Sequence, residues 1–326
     1  MSAPLLSLLV LSFRRFEATT ALCLQSLLAA PLPADVELLL IDNGSDDGAA
    51  AACAEAAQRH PEIRYLPQAR NLGFAGGMNA GAAQARGQWF VLVNSDTVFP
   101  AGALQRLCDT LRQLPPQVGL LGPVTNAAGN GQCLALPGRS LDDVVQIGAQ
   151  AMLEPTGLLL PLYRCDFFCV AIRADTWQQL NGLDEIFGLG YYEDFDFSLR
   201  ARSAGYEMLM AEDVFVVHAG SLTFSRMGEA QRVLMKRNKA LMKQRHPQAR
   251  FEHQRLGNAE ALAALLDEAE RHGWTPALRR RAAWRQAELL RNEPRSPWKR
   301  WLWRWRQRHL RQRLSQAGIV AAFPAA

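Results

Sequence analysis

The sequence predicts an α/β protein built on a mostly parallel sheet, and three observations support this fold class. In the first 125 residues, apolar stretches of strand length alternate with stretches of helical spacing. The strand-like stretches are apolar almost throughout, which is typical of strands covered on both faces. Several of them end in polar residues, as expected where strand ends border a ligand site. The chain has 326 residues, of which 49% are hydrophobic, so it can form a large core.

The elements can be assigned in chain order. The predicted strands of the first part are 5–13, 36–43, 63–68, 88–96 and 118–124, and the predicted helices are 18–30, 49–60, 77–86 and 101–114. Residues 125–163 are rich in Gly, Asn and Pro and are expected to be irregular. The later elements are a strand at 167–173, a helix within 191–206, a strand within 208–220 and a basic helix at 227–245. We therefore expect a catalytic-type domain over 1–245 and a helical extension over 246–326.

Charge and cysteine content exclude several classes of protein. Residues 271–316 contain 14 Arg and Lys but only two acids, so a strongly basic tail follows a slightly acidic body. The six cysteines are scattered without a CxxC pair, which argues against a zinc site and favours buried, reduced thiols. We see no signal peptide or transmembrane segment, and we expect a cytoplasmic protein.

Three polar features could carry chemistry. Asp96 follows a buried strand, the pair Glu193-Asp194 opens a helix, and His218 ends another strand. Each has an ordinary structural explanation, because a strand-end Asp often caps a turn and acids favour helix N-termini. Together they supply oxygen and imidazole ligands for a divalent cation and a separate carboxylate that could act as a base. Because strand ends of a parallel sheet meet at one edge, we expect these residues to share a cleft.

A glycine-rich stretch, RNLGFAGGMNAGAAQARG (70–87), suggests a ligand that carries phosphate. Glycines allow a backbone to approach a ligand closely, and the stretch leads into a helix N-terminus, which favours anions. The stretch matches neither the Walker pattern nor the dinucleotide pattern, so a flexible loop before a helix is an equally good interpretation.

Six stretches taken together resemble the family-two glycosyltransferases with the GT-A fold, most closely their bacterial rhamnosyltransferase-like branch. They are LSFRR (11–15), LLIDNGSDDG (39–48), RNLGFAGGMNAG (70–81), VLVNSDT (91–97), YYEDFDFSLRARSAGY (191–206) and VVHAGS (216–221). The resemblance implies an inverting, metal-dependent transfer of a sugar, with rhamnose as one candidate, from a nucleotide diphosphate sugar. The acceptor hydroxyl would belong to a saccharide or lipid-linked saccharide of cell-envelope polysaccharide or glycolipid synthesis.

The resemblance also implies roles for individual residues. Asp96 and His218 would bind Mg2+ or Mn2+ at the diphosphate. Asp194 would be the general base, with Glu193 and Asp196 orienting it and holding its helix. The implied nucleotide-sugar contacts are Ser12, Asp42, Asn43, Asn71, Gly76, Gly77, Asn94 and Ser95. Two positions depart from the family pattern: Asn94 stands where the metal motif often has an acid, and Arg14 stands where many relatives have Asn.

Two other functions remain open at this point. A sugar-nucleotide nucleotidyltransferase would need a glycine and a basic residue just after the first strand, and LSFRRFE has no glycine. A catalytically silent sugar-nucleotide-binding scaffold is the non-enzyme alternative, and an assay of nucleotide release with several donors would separate the three.

The basic tail has a pattern of its own. In PWKRWLWRWRQRHLRQRL (297–314), Trp298, Trp301, Leu302 and Trp305 fall on one face of a helix. Tryptophan with arginine suits contact with an anionic membrane surface, here the inner membrane. Packing of this helix on the catalytic domain or on a second copy is the alternative, and a nucleic-acid partner is disfavoured because no groove-reading module is visible.

Overall fold

The computed structural model describes residues 3–220, 228–251 and 253–319. Ser221, the last residue of the VVHAGS stretch, and residue 227, the first of a predicted helix, lie outside the described residues. The strands are β1 Leu6–Ser12, β2 Val36–Asp42, β3 Ile63–Pro67, β4 Trp89–Asn94, β5 Thr97–Val98, β6 Val118–Val124, β7 Leu159–Pro161, β8 Cys169–Arg173, β9 Glu207–Phe215 and β10 Val217–His218.

Eight of these strands form one mixed sheet in the order β3-β2-β1-β4-β8-β6-β9-β7. Strands β3, β2, β1 and β4 run parallel, β8 runs antiparallel to both β4 and β6, and β6 pairs with β9 in parallel. Strand β1 is buried along its whole length, because its neighbours β2 and β4 flank it and helices cover its faces. The predicted fold class, a mixed and mostly parallel sheet flanked by helices, is confirmed.

The helices cover the sheet and continue beyond it. They are α1 Thr20–Leu27, α2 Ala49–Arg59, α3 Gly73–Ala82, α4 Ala103–Gln113, α5 Leu141–Leu153, α6 Ala174–Gln179, α7 Glu193–Ser203, α8 Glu229–Arg245, α9 Gln254–His272, α10 Pro276–Arg291, α11 Pro297–Arg306 and α12 Arg308–Gln316. Two single turns of 3-10 helix lie at Phe16–Ala18 and Glu185–Phe187. The segment 125–163, expected to be irregular, contains α5 and β7.

The glycine-rich stretch is mostly helix, which corrects the prediction of a loop followed by a helix at 77–86. Helix α3 begins at Gly73, where φ is +73°, and two of its glycines, Gly77 and Gly81, face the sheet. A Cβ atom at Gly77 would lie 2.5 Å from Leu11 Cδ1, and one at Gly81 would lie 2.4 Å from Ile41 Cδ1. Close packing on β1 and β2 therefore requires glycine here and outweighs its poor helix propensity.

A small two-stranded sheet joins two distant parts of the chain. Strand β10 pairs antiparallel with β5, and His218 lies opposite Thr97. The backbone N–H of Ala219 donates to the Asp96 carbonyl at 2.8 Å. This pairing brings His218 beside Asp96, although 122 positions separate them in the sequence.

The C-terminal helices share the main core with the sheet. Leu262, Leu265 and Leu310 belong to the same buried cluster as Leu8 and Leu39. Glu212 on β9 is buried between Arg281 and Arg285 of α10, and Arg285 also donates to the carbonyl of Gly131 at 2.7 Å. The extension is thus packed on the catalytic-type domain, and the proposed boundary at residue 245 stays a prediction.

The basic tail forms two helices, where one helix over 297–314 was predicted. Gln307 ends α11 and precedes α12. Trp303, Leu310 and Leu314 pack against the core, whereas Trp298, Trp301 and Trp305 remain exposed. Within the described ranges, no helix is both long enough and apolar enough to cross a bilayer.

Candidate active site

A cleft of about 1150 Å³ opens at the carboxyl ends of β1 and β4. Asn94 ends β4, Phe13 follows β1, and Phe168 precedes the antiparallel β8, so all three reach the same edge of the sheet. Helices α7 and α8 close the opposite side. The charged or polar residues that line the cleft are Asn71, Asn94, Arg164, Asp166, Glu193, Asp194, His218, Gln231, Lys239 and His253. This is the position at which open α/β sheets bind ligands.

His218 lines this cleft, and Asp96 lies directly beside it. The Nε2 atom of His218 lies 3.4 Å from the Asp96 Oδ2 atom, and the imidazole stacks on Phe168 at 5.6 Å between ring centroids. Burial opposes the charged imidazolium, but the hydrogen bond and negative charge of Asp96 outweigh it, so the pKa of His218 is raised. A Cβ atom at Gly220 would fall 1.9 Å from Asp96 Oδ2, so only glycine at this position leaves room for the carboxylate.

This pair fits a divalent cation that takes its other ligands from a substrate. Among the described residues, no set of three or more His, Cys, Asp or Glu side chains is arranged to hold a metal ion. Mg2+ in phosphate-transfer sites is commonly held by one or two protein ligands together with phosphate oxygens and water. One carboxylate and one imidazole beside a cleft fit that requirement.

Asp194 lies in the same cleft on the first turn of α7. Its Oδ1 atom accepts a hydrogen bond from the backbone N–H of Phe195 at 2.7 Å, and its Oδ2 atom lies 3.6 Å from Arg164 Nη1. Burial raises the pKa of Asp194 to about 6, although the Arg164 guanidinium opposes this rise. A carboxylate with such a pKa is ionised at neutral pH yet more basic than an ordinary aspartate, as a general base should be.

Arg164 and Asp166 connect the two sides of the cleft. Arg164 contacts both Asp166 and Asp194, and Asp166 accepts a hydrogen bond from the backbone N–H of Gly129. The negative charge of Asp166 also contributes to the raised pKa of His218. Arg164 thus contacts both carboxylates through its Nη1 atom and keeps a positive charge beside Asp194.

Glu193 is buried beside Asp194 and lines the cleft. Burial and the neighbouring charge of Asp194 raise the pKa of Glu193 to about 8. Its Oε2 atom has no hydrogen-bond partner within the described part of the chain. At neutral pH Glu193 is therefore mostly neutral and can donate a hydrogen bond to a group that enters the cleft.

Asp196 fixes the helix that carries Asp194. It is fully buried, and it bonds to Arg200 at 2.7 Å and to His246 Nε2 at 2.8 Å. Arg200 lies one turn further along α7, and His246 directly follows α8. Asp196 therefore joins α7 to the end of α8, in line with the predicted role of holding this helix.

The turn before α7 has an unusual backbone. Tyr191 and Tyr192 have φ angles of +71° and +80°, a region that non-glycine residues rarely adopt. The buried Asn238 of α8 donates from Nδ2 to the carbonyls of Phe187, Gly190 and Tyr191 at 2.8–3.0 Å. A side chain on α8 thus holds the strained turn that aims Glu193 and Asp194 into the cleft.

Three asparagines shape the opposite end of the cleft. Asn43 donates to Asn71 Oδ1 at 3.1 Å and to the Gly73 carbonyl at 3.0 Å, and it accepts from the N–H of Leu72 at 3.1 Å. Asn71 lines the cleft, whereas Asn43 is buried beneath it. Asn94 lines the cleft at the end of β4. Of these three predicted nucleotide-sugar contacts, Asn71 and Asn94 are at the cleft surface.

The other predicted nucleotide-sugar contacts lie beneath or beside the cleft. The Ser12 hydroxyl is buried 2.8 Å from Thr20 Oγ1, and Asp42 is buried and accepts from the Ser45 hydroxyl at 2.5 Å. Gly76 and Gly77 are buried in α3, and Ser95 lies half-buried in the turn before Asp96. The side chains of Ser12 and Asp42 are occupied by internal bonds, so their predicted contact with a nucleoside has no support from their positions.

The sequence analysis did not identify Arg164, Asp166 or Asn238. Arg164 and Asp166 precede β8 in a stretch to which no element was assigned. Asn238 lies within a predicted helix that was described only as basic. A charged pair directly before a buried strand is a signal that could have marked Arg164 and Asp166. Asn238 has no such signal, because its importance comes only from the turn it contacts.

The architecture is that of the GT-A fold. Two solved structures share its architecture: a mannosyltransferase of Pyrobaculum calidifontis in complex with GDP-Man and Mn2+, and GalNAc-T7 with UDP, GalNAc and Mn2+. The first has a TM-score of 0.51 at 17% identity over 99% of this chain and 78% of its own. The second has a TM-score of 0.53 at 13% identity over 67% of this chain and 44% of its own.

Sequence comparison finds relatives among glycosyltransferases. Residues 7–133 match the model described as Glycosyl transferase family 2. An N-acetylglucosaminyl-diphospho-decaprenol L-rhamnosyltransferase of Mycobacterium tuberculosis is 27% identical over 210 residues, which cover 56% of this chain and 66% of that relative. An uncharacterized glycosyltransferase, EpsJ, of Bacillus subtilis is 31% identical over 110 residues, 34% of this chain and 31% of its own. Over residues 7–133 the chain is thus similar to family-2 glycosyltransferases, and over 210 residues it is similar to a rhamnosyltransferase.

Proposed function

We propose that this protein is an inverting, metal-dependent glycosyltransferase that moves a sugar from a nucleotide diphosphate sugar to an acceptor hydroxyl. The observation that carries the proposal is that Asp194, with its raised pKa, and His218, paired with Asp96, line the same cleft. One side of the cleft can hold a diphosphate through a cation, and the other offers a base. A leaving diphosphate and an attacking hydroxyl need these two functions on opposite sides of the sugar.

Asp194 would take the proton of the acceptor hydroxyl as the hydroxyl oxygen bonds to the anomeric carbon. The bond from that carbon to the diphosphate oxygen breaks in the same step, and the nucleoside diphosphate leaves with its electron pair. Arg164 keeps Asp194 in place and ionised, and neutral Glu193 can donate a hydrogen bond to a sugar or acceptor hydroxyl. Phe195, whose N–H binds the other carboxylate oxygen, fixes the orientation of the base.

Asp96 and His218 would hold the divalent cation, either Mg2+ or Mn2+. When bound, the cation neutralises charge that develops on the leaving diphosphate. Asn94 stands at the cleft surface beside these residues and is uncharged, so the site offers few negative charges. We therefore propose a cation that exchanges freely and binds together with the donor.

The acceptor side of the cleft is apolar and aromatic. Tyr191, Leu234, Met235 and Phe251 line it, and Leu189 at its edge is 66% exposed. Aromatic rings stack on sugar faces, and an aliphatic wall suits a lipid segment. We propose a lipid-linked saccharide of cell-envelope polysaccharide or glycolipid synthesis as the acceptor, with rhamnose among the donor sugars to be tested first. The M. tuberculosis relative, named as a rhamnosyltransferase acting on a diphospho-decaprenol-linked sugar, supports this choice.

A direct assay tests the proposal. Full-length protein is incubated with a panel of nucleotide diphosphate sugars, with Mg2+, Mn2+ or a chelator, and the released nucleoside diphosphate is measured with and without lipid-linked acceptors. We expect release that depends on both acceptor and metal for one donor class. A thermal-shift screen of the same nucleotides identifies the donor base before the acceptor is known.

Two outcomes would contradict the proposal. Formation of nucleoside triphosphate and sugar 1-phosphate on addition of pyrophosphate, in place of nucleoside diphosphate release, would indicate a nucleotidyltransferase. Tight binding of a sugar nucleotide without turnover, across lipid-linked and free saccharide acceptors, would indicate a catalytically silent scaffold.

A further inference from the structure

Helix α11 presents an unusual exposed surface. Trp298, Trp301 and Trp305 are 68%, 55% and 51% exposed, and the rings of Trp298 and Trp301 stack at 5.0 Å between centroids. The chain has eight tryptophans, and these three are the large exposed ones among the described residues. Three exposed indoles on one helix face are a costly arrangement in water and indicate contact with something apolar.

The same surface is strongly basic. Residues 291–316 contain nine Arg and Lys and a single acid, Glu293. Glu293 is already engaged by Arg304 at 2.6 Å and Arg311 at 2.8 Å. Within the described ranges, Arg295, Lys299 and Arg306 form no ion pair with a carboxylate, and all three are exposed. Among the described residues, the positive charge on this face is therefore only partly neutralised.

A basic cleft of about 500 Å³ begins directly beside the exposed indoles. Four cationic side chains line it: Arg255, Arg291, Arg295 and Lys299. Glu293 also lines it, but Arg304 and Arg311 neutralise this carboxylate. Lys299 follows Trp298 in the chain, so the cationic cleft and the indole face occupy the same turn of α11. A phosphate group is the ligand that such a cleft favours.

We propose that α11 and this cleft dock the protein on a bilayer that contains anionic phospholipid. The exposed indoles enter the interface between headgroups and acyl chains, and the basic cleft receives the phosphate of a lipid headgroup. Helices that lie in a membrane interface combine apolar side chains, which enter the acyl-chain boundary, with cationic side chains, which bind headgroup phosphates. The proposal goes beyond glycosyl transfer, and its test does not use that activity.

Vesicle flotation of the full-length protein tests the docking surface. The probes are phosphatidylcholine vesicles and vesicles in which about a third of the lipid is phosphatidylglycerol. We expect flotation with the anionic vesicles, little with the neutral ones, and a loss on raising salt, because headgroup attraction is screened. Trp298→Ser/Trp301→Ser/Trp305→Ser should lower the partition coefficient at least about 100-fold, because three large apolar side chains no longer leave water.

A second variant tests the cationic cleft without touching the indoles. Arg295→Gln/Lys299→Gln should lower partitioning about 25-fold, from about fivefold for each basic residue removed. Leu153→Ser, at an apolar position 73% exposed on α5, is the matched control for the indoles. Arg59→Gln/Arg139→Gln, at two exposed positions away from α11, is the control for lost charge. Both controls should float like the native chain.

Three results would overturn the proposal. Equal flotation of the triple Trp variant and the native chain would remove the indoles from any membrane contact. Equal partitioning on neutral and anionic vesicles would remove the cationic cleft as a headgroup site. A native dimer that becomes monomeric in the triple Trp variant, without vesicle binding by either, would assign the face to a second copy of the chain. All variants alter exposed side chains, so we expect each to fold like the native chain. An unchanged melting temperature confirms this.

Discussion

Replacing Asp194 by Asn should abolish transfer and at the same time stabilise the protein. The carboxylate is buried, with only 22% of its side chain exposed, and its pKa is raised to about 6. Asn has nearly the same shape and keeps an oxygen that can accept from the N–H of Phe195, but it cannot take a proton. Loss of a general base lowers rates by about 10²- to 10⁴-fold.

The stability effect follows from the same pKa. Because the folded-state pKa lies about two units above the ordinary value of 3.8, ionised Asp194 destabilises the folded protein. At about 1.4 kcal/mol for each pKa unit, ionised Asp194 lowers the free energy of unfolding by about 3 kcal/mol at most. Because the side chain is partly exposed and water screens its charge, we expect about 2 kcal/mol. The destabilisation is small below pH about 3.5, develops between about pH 4 and 6, and is complete at neutral pH. The variant should therefore be more stable than the native chain at pH 7.5, and the difference should fall to about a third of that value at pH 4.5.

Two measurements on one preparation examine this reasoning. Acceptor-dependent nucleotide release gives kcat/KM, and chemical denaturation at pH 7.5 and 4.5 gives the free energy of unfolding. Asp109→Asn, at an exposed carboxylate on α4, is the control and should change neither quantity by much. Turnover within about tenfold of the native rate would remove Asp194 as the base. Equal stability of the two proteins at pH 7.5 would show that burial does not raise its pKa.

Three further predictions concern the same cleft. Asp96→Ala should weaken Mn2+-dependent donor binding at least about tenfold in calorimetry; unchanged affinity would exclude Asp96 as a metal ligand. Arg164→Gln removes a cation 3.6 Å from Asp194, and this charge pair is worth about 4 kcal/mol at an effective dielectric of 20. The acidic limb of the profile of kcat/KM against pH should therefore move up by about one pH unit or more. An unchanged acidic limb would show that the two groups are not coupled. Asn238→Ala should lower stability by about 2 kcal/mol and reduce kcat more than it raises KM, because buried carbonyls lose their donor. Asn238→Asp should not rescue the loss, since an ionised carboxylate cannot donate; recovery of activity in that variant would contradict the account.

The fold was predictable from the sequence because burial dictates its pattern. Most positions of strands β1, β2 and β4 are buried, so the strands are apolar along most of their length and easily recognised. Helix α3 was placed four residues too late because its glycines suggest a loop when read locally. Their purpose is to bring the helix close to Leu11 and Ile41, and such tertiary packing has no local signature.

The candidate site was predictable only in part. Asp96, Glu193, Asp194 and His218 attracted attention because polar residues at the ends of apolar segments are conspicuous. Arg164 could not be assigned a role from sequence, because its two carboxylate partners lie at positions 166 and 194 and only folding brings the second one near. The division of the tail into two helices at Gln307 was also missed, since the helical spacing of its tryptophans continues without a proline or glycine to interrupt it.

By itself, the sequence determined that the chain forms a sheet covered by helices, with polar strand ends along one edge and a basic, tryptophan-rich tail. These properties depend on which residues avoid water, and that is encoded position by position. The tertiary structure alone decided that Asp96 meets His218, that Arg164 holds Asp194, and that three indoles of the tail stay exposed while Trp303 is covered. Each of those facts depends on distances between segments far apart in the chain, and Coulomb and packing energies are set by those distances.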